Sequence, residues 1–247
     1  MNFKEIVQPS SLEEACKVLA NHHKAVIIGG GVFLRLQKRE AELGIDLSRL
    51  SLSYIKEDEK VFHIGSMTTL RDVETSGNLP RCLVESVRQI GGVGLRNMVT
   101  VGGSVCGRYP FSDINTALLS LGARLIFSNK GEISLEQFLD ENYVLNDILT
   151  SIVVPKAEYS TCRYFKHTYT DFSLVNLSVA SGDNIRIAVG ARPGRAMLVS
   201  DINTGHTAEE LLAHIEFKDD IRGSGAYRRH IAEVMLSEVL EEGLLWK

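Results

Sequence analysis

The sequence predicts an α+β fold of two lobes, and three observations support this prediction. Helical and strand-like segments alternate over 1–55 as in a small βαβ unit, and 56–156 mixes strands and helices in a pattern that predicts a larger mixed sheet. After Pro155, three β-rich segments precede two helical ones. At about 150 residues per domain, the 247 residues allow two domains. We place the first at 1–156, with subdomains of about 1–55 and 56–156, and the second at 157–247.

The first 55 residues have the pattern of a βαβ unit. The segment Ser11-Leu-Glu-Glu14 is a capping box that opens an amphipathic helix. The apolar segment 25–28 is a short strand that leads into three glycines. We expect a second helix over 32–43, ended by Gly44, and a strand over 45–47. Alternating units of this size favour a parallel sheet.

Local patterns assign the remaining elements. They predict strands over 61–64, 99–105 (interrupted by Gly102 and Gly103) and 124–127, helices over 69–75, 81–89 and 114–121, and a short helix beginning at the capping box 134–137. In the second lobe they predict strands over 163–166, 174–180 and 185–189, a helix from the capping box 207–210, and a last helix from about Ala226 that ends before Gly243. We expect the three strands of the second lobe to form one antiparallel sheet with the two helices beside it.

Composition and charge exclude several functional classes. Lys and Arg number 27 against 31 Asp and Glu, a net charge of −4, whereas nucleic-acid-binding proteins usually carry a basic excess. No run of about 18 apolar residues occurs, so no membrane span is expected, and the N-terminus lacks the apolar segment of a signal peptide. The four cysteines and seven histidines are too scattered for a common metal site. We therefore expect a cytoplasmic protein with no metal of its own and no nucleic-acid partner.

The segment 102–107 resembles the turn around a nucleophilic serine. Ser104 follows Gly102 at the right distance, but the second glycine of that motif comes one residue too late, at Gly107. The extra residue would break the strand–turn–helix geometry that the motif requires. The sequence therefore does not predict a serine hydrolase, and it assigns no catalytic residue.

Two glycine clusters carry the strongest functional signal. Gly29–Gly31 lies between a predicted strand and a predicted helix, where glycine permits close approach of the backbone and a helix start favours an anion such as a pyrophosphate. It is not a Rossmann fingerprint, because Leu34 stands at the third glycine position. Within Thr100–Ser104, two glycines would weaken a strand unless a bulge or a ligand requires them. The clusters predict contacts with one long anionic ligand, and the alternative is two unrelated turns.

Segments spread over nearly the whole chain resemble the FAD-binding subunits of the molybdenum hydroxylases, the family of xanthine dehydrogenase and carbon monoxide dehydrogenase. These segments are Ile27–Leu34 (IIGGGVFL), Ile45–Ser48 (IDLS), Ile90–Ser104 (IGGVGLRNMVTVGGS), Pro110–Asp113 (PFSD), Ile152–Pro155 (IVVP), Phe165–Lys166, Gly190–Pro193 (GARP) and Gly223–His230 (GSGAYRRH). The most specific pattern among them is RN-x-x-T-x-GG within 96–103. Because the segments occur in the family's order, the sequence is identified as a member of it.

The resemblance implies a flavoprotein that binds FAD without a covalent bond. Backbone amides of 29–32 would bind the pyrophosphate, and the segment 100–104 would bind the other side of the dinucleotide. Asp113 would bind the ribityl or diphosphate part. The complete set of cofactor-binding residues that the resemblance implies is Ile27, Ile28, Gly29, Gly30, Gly31, Val32, Phe33, Ile90, Thr100, Gly102, Gly103, Ser104, Asp113, Leu149 and Lys166.

Three of these residues would lie beside the isoalloxazine ring. Ile90 and Leu149 would pack against it, and plain core packing is the alternative for both. Lys166 would lie near the ring and stabilise its anionic reduced form, since a cation beside a developing negative charge favours that charge. An ordinary solvated strand lysine is the alternative for Lys166.

The chain departs from the family pattern in ways that bear on its function. Gly31 and Val32 stand where the family has Thr-Asp, so side-chain hydrogen bonds to phosphate are lost, and Ser104 replaces an asparagine. Neither a molybdopterin domain nor the cysteine sets of two [2Fe–2S] clusters are recognisable. The resemblance therefore implies one oxidoreductase subunit, whose partners are a molybdopterin-binding large subunit and a [2Fe–2S] small subunit, and which passes electrons to NAD or another acceptor.

Two other functions stay open at this point. One is a stand-alone flavin-dependent NAD(P)H oxidoreductase. The other is a non-catalytic assembly subunit that has lost FAD, which the missing Thr-Asp pair suggests.

Overall fold

The computed structural model describes residues 1–22, 24–140, 142–182, 184–200, 202 and 205–242. The first elements are β1 (Asn2–Val7), α1 (Leu12–Asn21), β2 (Val26–Ile28), α2 (Val32–Arg35) and β3 (Glu40–Asp46). Next come β4 (Ile55–Glu57), β5 (Val61–Gly65), α3 (Leu70–Thr75), α4 (Arg81–Arg88), α5 (Val93–Arg96), α6 (Val101–Cys106), α7 (Asp113–Ser120), β6 (Arg124–Phe127), β7 (Gly131–Ser134), α8 (Leu135–Leu139) and β8 (Leu149–Pro155). The last elements are β9 (Tyr159–Phe165), β10 (Val175–Ser181), β11 (Arg186–Gly190), β12 (Met197–Leu198), α9 (Ala208–Leu212) and α10 (Gly225–Glu241). These elements confirm the α+β class.

The N-terminal elements form the predicted βαβ arrangement, a parallel sheet in the order β1-β3-β2. The predicted helix over 32–43 is wrong, because α2 ends at Arg35 and the segment from Glu40 is β3, the central strand. Pairing with two neighbouring strands outweighs the helix propensity of this segment. Gly44 lies inside the strand rather than after a helix, and a Cβ there would come 2.7 Å from Ile28 Cδ1.

The middle of the chain forms a five-stranded sheet in the order β4-β5-β8-β6-β7. The strands β4 and β5 form one hairpin and β6 and β7 another, and β8 runs between them antiparallel to both neighbours. Each of these pairings is antiparallel, which differs from the predicted mixed sheet because hairpins flank β8 on both sides. The predicted helices near 69–75, 81–89 and 114–121 are confirmed as α3, α4 and α7, and their apolar faces share one core with this sheet.

The predicted strand over 99–105 is wrong, because Val101–Cys106 is the helix α6. Thr100 is its N-cap, and the Thr100 hydroxyl accepts a hydrogen bond from the Gly103 amide at 3.2 Å. This side-chain cap outweighs the β-branched residues that favoured a strand. Gly102 lets α6 pack closely on the segment after β5, since a Cβ there would lie 2.7 Å from the Ser66 carbonyl oxygen.

The C-terminal strands form an antiparallel sheet in the order β12-β11-β10-β9. The three predicted strands are present, and the two-residue β12 extends them. The capping box at Thr207–Glu210 is confirmed, and α9 and α10 bury their apolar sides against the sheet. The predicted helix end at Gly243 lies outside the described residues, and the lobe limits near 55 and 156 stay predictions. Across the described ranges, none of the helices has both the length and the apolarity to cross a membrane.

Candidate cofactor site

The two glycine clusters lie against each other although they are far apart in sequence. A Cβ on Gly29 would come 2.5 Å from Thr100 Oγ1 and 3.8 Å from the Gly103 amide nitrogen. A Cβ on Gly30 would come 1.6 Å from the Met98 carbonyl oxygen. A side chain at Gly29 would therefore collide with the Thr100 side chain, and one at Gly30 would collide with the Met98 backbone. We call Gly29–Phe33 the first glycine loop and Thr100–Ser104 the second glycine segment.

The first glycine loop presents backbone donors that the described chain does not use. Its amides donate to no acceptor in the part of the chain that the structure describes. Gly31 has φ +69°, which only glycine adopts without strain, and the nearest atom to a Cβ there is Ile28 Cγ2 at 3.7 Å. Unpaired backbone amides can donate to an anionic oxygen such as that of a phosphate ester.

The second glycine segment uses its amides within the chain. Gly102 donates to the Ser66 carbonyl at 2.8 Å, and Ser104 donates to the Thr100 carbonyl at 3.0 Å through its amide and at 3.0 Å through its hydroxyl. The Gly103 amide donates to the Thr100 hydroxyl. This segment therefore supports the first loop, and its own contact with a cofactor stays a prediction.

Asp113 and Lys166 form a buried ion pair between α7 and the end of β9. The Lys166 ammonium lies 3.1 Å from Asp113 Oδ2, and the side chains are 8% and 4% exposed. Asp113 Oδ1 accepts from the Ser173 hydroxyl at 2.6 Å and from the Asn176 amide at 2.5 Å. The ammonium also donates to the Gln89 carbonyl at 2.7 Å. Because burial is nearly complete, Lys166 is not a solvated strand lysine, and Asp113 balances its charge.

A second buried cation holds the turn that follows α4. Arg96 donates through Nη1 to the carbonyls of Arg88, Ile90 and Gly91, at 3.3, 3.2 and 2.6 Å. Its Nε and Nη2 donate to the two carboxylate oxygens of Glu74 at 2.8 and 3.1 Å. The hydrogen bond from Arg96 lowers the pKa of Glu74 against the opposing effect of burial. The carboxylate is therefore ionised, and the pair fixes the turn.

Four aromatic rings connect the first glycine loop to the C-terminal sheet. Phe33 lies 4.2 Å from Tyr109 and 5.8 Å from Phe111, centroid to centroid, and Phe111 lies 4.0 Å from Phe172. Phe172 is adjacent to Ser173, whose hydroxyl donates to Asp113. The rings therefore form a continuous apolar surface between the glycine loop and the buried ion pair.

The remaining predicted residues occupy clear places in the fold. Ile27 and Ile28 end β2 and pair with β3, and Val32 begins α2. Ile90 is half-buried in the turn held by Arg96 and packs against the central core, and Leu149 begins β8 and is 4% exposed in the same core. Core packing accounts for Leu149, and its contact with a flavin ring stays a prediction.

The half-buried Cys106 follows the second glycine segment and has no sign of reactivity. Burial raises its thiol pKa to about 12, against a smaller opposing effect of Arg108. The thiolate is the reactive form of cysteine, and it is scarce at neutral pH when the pKa is so high. The thiol therefore has a packing role.

Sequence reasoning missed two parts of this site. No motif marks the aromatic residues Tyr109, Phe111 and Phe172, although two of them flank Pro110 beside the predicted Asp113. Arg96 belongs to the RN-x-x-T-x-GG pattern, but nothing in a sequence shows which carbonyls a buried arginine contacts. The arrangement as a whole offers amides for an anion, an apolar aromatic surface and a buried charged network.

Comparisons with known proteins agree with this description. A family described as "FAD binding domain in molybdopterin dehydrogenase" matches residues 1–157. The chain is 27% identical over 249 residues to an uncharacterized protein, YgfM, of Escherichia coli (strain K12), across 96% of this chain and 95% of the relative. It is 26% identical over 272 residues to the glyceraldehyde dehydrogenase medium chain of Sulfolobus acidocaldarius, across 96% of each.

A solved structure shows the same fold. Quinoline 2-oxidoreductase from Pseudomonas putida 86 aligns with a TM-score of 0.86 over 98% of this chain and 96% of that chain, at 22% identity. The family match covers more than half of the chain. The chain therefore belongs to the family of FAD-binding domains of molybdopterin dehydrogenases, which are oxidoreductase components with FAD as cofactor.

Proposed function

We propose that this chain is the electron-transfer subunit of a heteromeric molybdenum-containing hydroxylase. In this role it receives electrons from [2Fe–2S] clusters of a small subunit, after a molybdopterin-binding large subunit has oxidised the substrate. NAD or another acceptor then takes the electrons. When bound, FAD supplies the required chemistry, because a flavin accepts single electrons and releases them in pairs. The observation that carries the proposal is the set of unpaired amides in the first glycine loop, braced by the second glycine segment.

The backbone of the first glycine loop would hold the pyrophosphate. Its amides are available whatever the side chains are, so the loss of Thr-Asp at Gly31 and Val32 removes only side-chain hydrogen-bonding groups. Contact with Thr100 and Met98 fixes the loop on one side. We expect this rigidity to compensate in part for the lost hydrogen bonds, because a preformed site loses less conformational entropy when the ligand binds.

The buried ion pair would orient the flavin rather than act as a free positive charge. Asp113 neutralises the Lys166 ammonium at 3.1 Å, so a ring nearby would experience a dipole instead of a full charge. The pair also joins α7 to the end of β9, which makes it a bridge across the predicted limit at 156 between the two proposed domains. Asp113 would thus act on the cofactor through its ion pair with Lys166 and the hydrogen bonds around that pair.

Partners and location follow as proposals from the same assignment. The family description places such domains in molybdopterin dehydrogenases, and the name "medium chain" of a relative fits a subunit among others. We propose a molybdopterin-binding large subunit and a [2Fe–2S] small subunit as partners, in the cytoplasm. No general acid or base is assigned, since electron transfer needs none in this chain.

The first test is the absorption spectrum of the purified chain, followed by titration with FAD. The two absorption bands of oxidised flavin, at a stoichiometry of one FAD per chain, are the expected result. A colourless chain that gains no FAD, alone or with its co-purified partners, would contradict the proposal and favour an assembly subunit.

A second measurement separates the electron-transfer subunit from a stand-alone reductase. The FAD-loaded chain is mixed with NADH and an artificial acceptor, with and without the co-purified partners. We expect the isolated chain to show no rapid turnover of NADH and the acceptor. Rapid multiple turnovers of NADH and acceptor by the isolated chain would favour the stand-alone oxidoreductase instead.

A further inference from the structure

Four consecutive backbone carbonyls, beginning at the last residue of α4, accept hydrogen bonds from two buried cations. Arg96 donates to the carbonyls of Arg88, Ile90 and Gly91, and Lys166 donates to the carbonyl of Gln89. We call Arg88–Gly91 the carbonyl turn. Carbonyl groups at a helix end carry partial negative charge, so cations are favourable there.

Each cation has its own buried carboxylate on a different element. Glu74 on α3 forms a bidentate ion pair with the Arg96 guanidinium. The side chains are 6% exposed for the arginine and 11% for the glutamate. Asp113 on α7 forms an ion pair with Lys166. The turn is therefore fixed to α3, α7 and the end of β9 at once.

The same arginine also lies close to the glycine contact. Arg96 ends α5, and the Val99 amide donates to the Leu95 carbonyl while the Asn97 amide donates to the Val93 carbonyl. Met98, two residues after Arg96, presents the carbonyl against which Gly30 packs. A shift of the guanidinium would thus move both the carbonyl turn and the loop that braces the first glycine loop.

We propose that Arg96 is a positioning residue for the flavin, holding the carbonyl turn so that Ile90 faces the ring in one geometry. This inference rests on the proposed function, and it adds a residue that touches no cofactor. A planar guanidinium is needed because it makes five hydrogen bonds in fixed directions, whereas an ammonium donates from a single point.

The test measures FAD affinity and flavin environment in the 247-residue chain. The Arg96→Gln variant is titrated with FAD, and the visible circular dichroism of the bound flavin reports the environment of the ring. We expect Kd to rise about tenfold, the effect of losing one or two charged hydrogen bonds, together with an altered dichroic band. Arg96→Lys keeps the charge, and we expect it to recover only part of the affinity.

Two control variants separate positioning from general destabilisation. Arg71 donates to the same Glu74 carboxylate at 2.8 Å but is 40% exposed and contacts none of the carbonyls, so Arg71→Gln should bind FAD normally. Val239→Ala opens a cavity in the C-terminal core, so it should lower Tm without changing the dichroic band.

The outcomes are distinguishable. Wild-type affinity and an unchanged dichroic band in Arg96→Gln would overturn the inference while leaving the proposed function intact. An equal change in Val239→Ala would also overturn it, because the effect would then follow stability alone. If Arg96→Gln does not fold, Arg96→Lys decides by the same two readouts. Failure of the wild-type chain to bind FAD would refute the proposed function and this inference with it.

Discussion

The substitution Gly30→Ala tests whether the close contact of the first glycine loop with the Met98 backbone is needed for binding. A Cβ on Gly30 would lie 1.6 Å from the Met98 carbonyl oxygen and 2.7 Å from its carbonyl carbon, and both are backbone atoms that cannot rotate away. Ordinary van der Waals contact begins at 3.4 Å. The segments would therefore have to separate by roughly 2 Å at this point.

The cost follows from this displacement. Overpacking in a well-packed region costs about 1–3 kcal/mol, and we expect the upper end because backbone lies on both sides of the contact. For a chain of this size, each kcal/mol shifts Tm by about 2–4 °C, so Tm should fall by about 6–12 °C. The displaced amides would no longer meet a phosphate within hydrogen-bond distance, so Kd for FAD should rise at least about tenfold.

The assay is thermal unfolding followed by circular dichroism, with and without FAD, together with a titration of flavin fluorescence. Gly77→Ala is the matched control, because a Cβ there would meet no atom within 4 Å. We expect that control to keep the wild-type Tm and Kd. A Gly30→Ala protein with the wild-type Tm and Kd would refute the argument that the contact positions the amides.

Three further predictions concern the buried polar groups around the site. Lys166→Met should lower the free energy of unfolding by about 3–5 kcal/mol in urea, because it leaves the Asp113 carboxylate buried without its counter-ion; adding Asp113→Asn should recover part of that loss, and no recovery would contradict the pairing. Gly190→Ala places a Cβ 2.1 Å from a buried threonine hydroxyl on α7, so we expect a loss of about 1–3 kcal/mol, and a wild-type urea midpoint would count against it. The lowered pKa of Glu74 predicts a stabilisation that is fully present above its ordinary value of 4.5 and is lost as pH falls through the folded pKa; unfolding curves of Glu74→Gln should therefore differ most from wild type above that pH, and an equal difference at all pH values would exclude this linkage.

Much of the fold could be predicted because local signals agree with tertiary contacts. The capping pattern at Thr207–Glu210 produces α9 as predicted, and the β-rich segments after Pro155 pair as expected. The two wrongly assigned elements have different causes, tertiary strand pairing in one case and a local helix cap in the other. Glu40–Asp46 becomes a central strand through its two partners, and the cap at Thr100 makes Val101–Cys106 a helix.

The site could be predicted only in part, for a related reason. Motifs identified the glycine clusters, and the structure places them in contact. The sequence could not show why positions 29 and 30 need glycine. The reason is the close approach of Thr100 to Gly29 and of Met98 to Gly30, which only the folded structure reveals. Nor could it show that Lys166 is paired with Asp113 rather than free, since the two residues belong to separate elements.

The departure at Gly31 and Val32 bears on how much of the binding depends on side chains. If affinity came mainly from the Thr-Asp side chains of the family pattern, this chain would bind FAD poorly. The structure instead provides unpaired amides, which need no particular side chain but need a fixed backbone. That fixed backbone depends on the Gly30–Met98 contact, and Met98 lies two residues after Arg96, where its amide donates to the Leu95 carbonyl. Affinity should therefore respond more strongly to Gly30→Ala and Arg96→Gln than to replacement of Val32 by aspartate, which would restore only one side-chain acceptor.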